Sequence, residues 1–326
     1  CVNSSPQLSN LIIKNNWGHE GGGIFFYNSN SLMHNCVIKN NSSGLTGSGV
    51  QIVSSNITIY NSIISSNTHR PGIQSDGSEL NMENILIYNN NSGAISCVNQ
   101  INNNYTNISI INNNGGILLD NAEVDITNSI IWNNSGTIVS LGNGSVANVS
   151  YSDIQNGWTG TGNIDSDPLF CNPNSGDYTL AENSPCVGTG QNGANMGAFG
   201  VGCEAHIPIL HVATTGSDDN DGSEENPFAT IHKALDVSFD GDTILVHPGT
   251  YYRADSIESE IVHKSLTIMS TGGQDSTFLT LSEDQDYGMF RIQGGPENAI
   301  QVSLKGFTIS KFTLEVYKAN VSLENN

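Results

Sequence analysis

The chain has 326 residues, of which only 13% are charged and 7% aromatic, and a formal net charge of −21. So acidic a surface disfavours nucleic acid and anionic membranes as partners, and no apolar run approaches the ~20 residues that a membrane-spanning helix needs. The length allows one to three domains, and the 37% apolar fraction supports a core only where those residues are regularly placed.

They are regularly placed in residues 1–156. Asn16, Asn41, Asn67, Asn90, Asn113 and Asn134 follow one another at intervals of 25, 26, 23, 23 and 21 residues, each three positions after an isoleucine. A period of that size marks a stacked repeat, with one repeat per turn of a solenoid. Like residues then lie over like residues about 4.8 Å apart, and a column of amides can donate in one direction and accept from the other. Each repeat reads as three short β segments. These are the isoleucine strand, a Gly-led apolar strand such as Gly22-Gly23-Ile24-Phe25-Phe26 or Gly49-Val50-Gln51-Ile52, and an alternating strand such as Ile57-Thr58-Ile59 or Leu80-Asn81-Met82. A constant repeat length argues against a β-sandwich, and the lack of leucine columns argues against a leucine-rich repeat. The expectation is an all-β parallel β-helix with three strands per coil. Cys1-Val2-Asn3 matches Cys97-Val98-Asn99 and puts Cys1 in an inward column with Phe26, Ile52, Cys97 and Leu119. The competing reading of Cys1 is the lipid-bearing first residue of a mature lipoprotein. Both ends of the chain read as cut in mid-pattern.

From residue 157 the repeat dissolves into Pro-, Gly- and aromatic-bearing segments. Residues 157–203 are expected to be an irregular cap covering the apolar end of the last coil. Cys171, Cys186 and Cys203 fall here, and two readings stand side by side: one disulfide with one cysteine left over, without a choice among the three pairings, or three free thiols. Residues 204–208 form a linker. A second character starts at 209, with a strand at Ile209–Ala213, an acidic loop over 216–227, an amphipathic helix over 229–238, and further strands to residue 326. A short helix at this point suits the opening end of another solenoid.

The run Gly216-Ser217-Asp218-Asp219-Asn220-Asp221-Gly222, then Asn226-Pro227-Phe228-Ala229-Thr230-Ile231, Gly241-Asp242-Thr243-Ile244 and Pro248-Gly249-Thr250-Tyr251 resembles the start of secreted right-handed parallel β-helix proteins of the pectate-lyase-like superfamily. The elements Asp167-Pro168-Leu169-Phe170, Ser184-Pro185-Cys186 and Gly197-Ala198-Phe199-Gly200 are similar to the closing segment of the same proteins. The resemblance implies the end of one right-handed β-helix followed by the beginning of a second, and export to the cell surface or medium. A polysaccharide or cell-surface glycan is the candidate partner. Some relatives are polysaccharide lyases, whose β-elimination calls for a cation, usually Ca²⁺, and a Lys or Arg base.

Residues 1–200 hold 12 acidic and 3 basic residues, a net of −9, and the three are Lys14, Lys39 and Arg70. Lys14 and Lys39 share one outward position on successive coils, continued by Ser65, Tyr88, Ile111 and Trp132. No aspartate cluster accompanies them, so a solvated edge is the expectation. Arg70, beside His69, and the Tyr88/Trp132 column are the candidate glycan contacts, because aromatic faces grip the apolar faces of sugar rings. Against that stands the plain reading that the column packs on a neighbouring loop. Asp218, Asp219 and Asp221 are the candidate Ca²⁺ ligands. They fail the EF-hand pattern, since placing Gly222 sixth puts Ser217 first and Phe228 twelfth. A solvated Asx turn is the simpler expectation. The sequence therefore reads as an extracellular or cell-surface repeat protein used for adhesion or glycan contact, without an assembled active site in these residues. The alternatives are a polysaccharide lyase with its catalytic coils elsewhere and a purely structural spacer.

Overall fold

A computed structural model describes residues 1–239, 241–252, 260–262, 264–281, 288–293 and 300–326. They form two compact units, Cys1–Ala205 and His206–Asn326, and each is built on a parallel β-helix.

The coils of the first unit stack three columns of strands, all in parallel register. One column holds Ile12–Lys14, Val37–Lys39, the ends of Asn56–Ser65, Glu79–Tyr88 and Ile95–Ile111, then Ile130–Trp132 and Asp153–Ile154. The second runs from Ile24–Tyr27 through Val50–Val53 and Ile73–Asp76 to Val139–Gly142. The third runs from Gln7–Ser9 through Asn30–His34 to Val146–Ser150. Where the sequence suggests separate strands, Asn56–Ser65 and Glu79–Tyr88 each continue through a corner, and Ile95–Ile111 passes two corners. Single left-handed residues, Asn61, Asn84 and Asn107, make the shared bend at φ 50°, 55° and 52°, and the other corner of Ile95–Ile111 carries two, Asn99 and Asn102, at 53° and 61°. Asparagine tolerates that conformation through its own local hydrogen bonds.

The asparagine column is continuous. The Asn41 amide donates through Nδ2 to Asn67 Oδ1 (3.2 Å) and to the Ile13 carbonyl one coil back (3.0 Å). Asn67, Asn90 and Asn113 repeat the pattern onto Asn90, Asn113 and Asn134 at 2.9–3.0 Å. Each Oδ1 also accepts the backbone N–H of the preceding ladder residue. Asn41 through Asn134 are buried, whereas Asn16 is exposed. The other corners carry shorter serine columns, with Ser29 N–H donating to Ser55 Oγ and Ser129 N–H to Ser152 Oγ, both at 3.0 Å. Cys1 corrects its expectation. Val2 bridges Tyr27, so Cys1 stands in register with Phe26, yet it is exposed.

Residues 157–203 also depart from expectation. Only the first part closes the stack: Trp158 packs on the end of the core, and Asp153 bridges Ile164. The rest folds back along the outside of the isoleucine sheet. Phe170, Tyr178, Leu180, Cys186 and Met196 form a second core with Leu86, Ile111 and Ile130, and Tyr88 and Trp132 pack against it. The reason lies in runs such as Ile85-Leu86-Ile87 and Ile130-Ile131-Trp132. Their loss of alternation makes both faces of those strands apolar, and both must be buried.

The second unit repeats the architecture. Ile209–Val212, Thr243–Val246, Leu266–Ser270, Ile300–Lys305 and Ala319–Glu324 form one parallel sheet. Gly249–Tyr252, Thr277–Thr280 and Thr308–Ile309 form another, and Glu260–Val262, Gly288–Gln293 and Phe312–Tyr317 a third. The one α-helix among the described residues, Ile231–Val237, buries Ala234 and Leu235 with the first strands of this core. Thr230 caps it by accepting the Lys233 N–H at 3.1 Å.

Candidate functional site

The spacing of the ladder asparagines shrinks along the chain, and one corner absorbs the difference. From ladder residue to the next apolar strand the distance is eight residues at Asn16–Ile24 and nine at Asn41–Val50, but five at Asn90–Ile95 and four at Asn113–Ile117. The extra residues of the first coils build a surface that the later coils lack. Trp17–Gly18 pairs with Ser42–Ser43, and Ser42 bridges Thr68, so the three loops start in register. Trp17 then stands 71% exposed. Gly44 lies beside it: a Cβ built there would be in ordinary contact with both rings, 3.9 Å from Trp17 Cζ2 and 4.0 Å from His19 Cδ2. Arg70 Nη2 donates to the Gly44 carbonyl at 3.4 Å, and its backbone N–H donates to Ser48 Oγ at 3.0 Å. His69, held at φ 76°, places Nδ1 3.0 Å from Ser42 Oγ and 3.2 Å from Thr68 Oγ1. The corner therefore presents an indole face, a guanidinium and two imidazoles to solvent, with Leu45 also 49% exposed.

Of the sequence-stated candidates, Arg70 belongs to this corner. Trp17 and His19 went unnoticed, although the uneven ladder spacing pointed to their loop. The column Lys14, Lys39, Ser65, Tyr88, Ile111, Trp132 is in register, but its aromatic part is corrected as a ligand strip. Tyr88 lies under the folded-back segment, its ring centroid 5.2 Å from that of Tyr178, and Trp132 packs against the same cluster. The aspartates near residue 218 are likewise reassigned. Asp218 accepts the N–H groups of Ala229 and Thr230 at 3.0 and 2.9 Å and the Thr230 hydroxyl at 2.8 Å, which ties the acidic loop to the helix start. Asp221 accepts the Ser223 N–H at 2.9 Å, and this turn holds its carboxyl below the usual range. Among the described residues no group of three or more His, Cys, Asp or Glu side chains converges, and Asp218 and Asp221 use carboxylate oxygens in these local bonds.

Cys171 and Cys203 are joined in a disulfide that ties together the ends of the folded-back segment, and Cys186 remains a buried thiol. Its Sγ donates to Asp153 Oδ2 at 3.1 Å, while Ser166 N–H donates to Asp153 Oδ1 at 3.1 Å. Burial pushes Asp153 up to about 6 against the downward pull of these two bonds.

Residues 214–261 match DUF1565, a family described as a protein of unknown function. No curated protein matches the chain. Among solved structures, a mutant of the PL6 family alginate lyase AlyGC aligns at 10% identity over 99% of this chain and 76% of its own, with a TM-score of 0.24. At that score the likeness carries no argument. The stacked parallel strands define the class: this is a parallel β-helix protein with an exposed aromatic and cationic corner on its early coils.

Proposed function

We propose that the chain is an extracellular or cell-surface β-helix protein that contacts carbohydrate through the corner formed by Trp17, His19, His69 and Arg70. The observation that carries this reading is an indole left 71% exposed beside a guanidinium anchored on the Gly44 carbonyl. An exposed aromatic face takes the C–H face of a sugar ring, and the remaining Arg donors serve its hydroxyl or carboxylate oxygens. Arg70 is one of only three basic residues in residues 1–200, so its place at this corner is a departure from an acidic surface. The Cys171–Cys203 bond supports export, since structural disulfides persist in oxidising compartments.

Binding of the intact chain to an immobilised glycan panel tests the reading. Trp17→Ala and Arg70→Ala should each weaken the best ligand by about tenfold or more, equivalent to ~1.4 kcal/mol, with unfolding unchanged. Full-strength binding by both variants rejects it. The lyase alternative rests on the resemblance of residues 207–326 and 152–200 to pectate-lyase-like proteins. Unsaturated uronate released from pectin or alginate by the intact chain would favour it over simple binding.

A further inference from the structure

The second unit contains a cleft of about 310 Å³ that the corner reading does not use, lined among others by Thr214, Thr250, Tyr252, Leu279, Phe290 and Phe312. It lies between the Gly249–Tyr252 strand with its partner Thr277–Thr280 and the Gly288–Gln293 strand with its partner Phe312–Tyr317. Leu279 and Phe290, 5% and 8% exposed, make an apolar floor, and Tyr252, 59% exposed, stands as an open aromatic wall. The Tyr251 hydroxyl is already spent on the carbonyls of Val212 and His247 at 3.2 and 2.7 Å. The polar rim is formed by the exposed Thr214 and Thr250, with His232 also in the lining.

We propose that this cleft binds a single uncharged sugar ring, with one face on the Tyr252 and phenylalanine side chains and its hydroxyl edge toward Thr214 and Thr250. Size limits the occupant: the volume sits at the lower end of the range for small-ligand sites, about 300–1,000 Å³, which suits one ring. Among the described residues that line the cleft none is Asp, Glu, Lys or Arg, and His232 stands at its edge. An aromatic wall facing a hydroxyl rim matches the two-faced chemistry of a pyranose, whose axial C–H groups are apolar and whose equatorial edge is polar. Thr214, Thr250 and Tyr252 all fall within residues 214–261, the segment shared with the DUF1565 family, so the inference gives that segment a ligand class. It stands independently of the Trp17 corner.

Saturation-transfer NMR and calorimetry on the intact chain, with glucose, galactose, mannose and N-acetylglucosamine as probes and indole as the planar competitor, test it. At least one sugar should bind with a Kd on the order of 1 mM and more tightly than indole. Tyr252→Ala should weaken it about tenfold while Trp17→Ala leaves it unchanged. Thr250→Val, a change of similar shape at an exposed position, should also weaken binding, and it decides the matter should Tyr252→Ala fail to fold. Absence of binding by all four sugars up to about 50 mM, preference for indole, indifference to both cleft variants, or loss in Trp17→Ala would each overturn the proposal.

Discussion

Asn90 occupies a position where a single amide serves five hydrogen bonds across three coils, one of them from Nδ2 to the Tyr88 carbonyl of its own coil at 3.3 Å. Its Oδ1 accepts both the N–H and the Nδ2 of Asn67, and its Nδ2 donates to Asn113 and to the Ile64 carbonyl. Asn90→Ala strands the buried Asn67 N–H and opens a gap between coils, each unsatisfied group costing about 1–3 kcal/mol. The expected loss is roughly 3 kcal/mol or more in chemical denaturation. Asn16→Ala, at the exposed start of the same column, should cost under about 1 kcal/mol. Equal effects at the two positions would mean that burial is not what makes the ladder matter. Asp153 supplies a pH signature. Its carboxyl ordinarily titrates near 3.8, and burial raises it to about 6. The folded state therefore holds a proton that the unfolded chain gives up, and the contribution is present in full below about pH 4 and lost as pH rises through 6. Thermal unfolding of the parent should fall from pH 5 to 7.5 relative to Asp153→Asn, which removes this titration; parallel curves for the two proteins would contradict the assignment.

At the scale of elements, the folded-back segment behaves as a second layer on the isoleucine sheet. Gly197 sits at φ 90°, and a Cβ there would lie 2.7 Å from Ile130 Cδ1 and 2.9 Å from Ser109 Oγ, while its own N–H donates to the Asn128 carbonyl at 2.8 Å. Gly197→Val should lift this layer and expose Tyr88, Ile111 and Trp132, seen as new dye binding and faster proteolysis within 166–203, at a cost of about 2–4 kcal/mol. A variant as protease-resistant as the parent would show that the contact is loose. The coils themselves were legible in the sequence, because the ladder asparagines and their isoleucines repeat a single environment. The helix was legible for a similar reason: Ile231, Ala234 and Leu235 share one face, and the expected 229–238 trims to Ile231–Val237. The second layer was harder to see. Its partners lie far apart in sequence, as with Ala198 on Ser109 and Gln191 on Asn128, and the one local clue was the lost alternation at Leu86, Ile111 and Ile130. The Trp17 corner was missed because its residues come from three loops that become neighbours only once the coils are stacked.

At the scale of the molecule, the two units keep separate hydrophobic cores, one holding Ile38, Ile64 and Ile87 and the other Ile244, Ile268 and Leu304. Contacts in a stacked repeat are made between neighbouring coils, so stability is approximately local. Asn90→Ala should then shift one calorimetric transition and leave a second in place; a single transition moving as a whole would show the units to be energetically coupled. The acidic surface spreads over both units, with net charges of −9 in residues 1–200 and −12 in residues 201–326. Specific contact is accordingly assigned to the few places where aromatic groups stand free of it. The sharpest test sets the exposed corner against the covered column in one glycan-binding titration of the intact chain. Trp17→Ala should weaken binding about tenfold, while Trp132→Phe, beneath the folded-back segment, should leave it unchanged. Loss of binding in Trp132→Phe with full retention in Trp17→Ala would contradict the account.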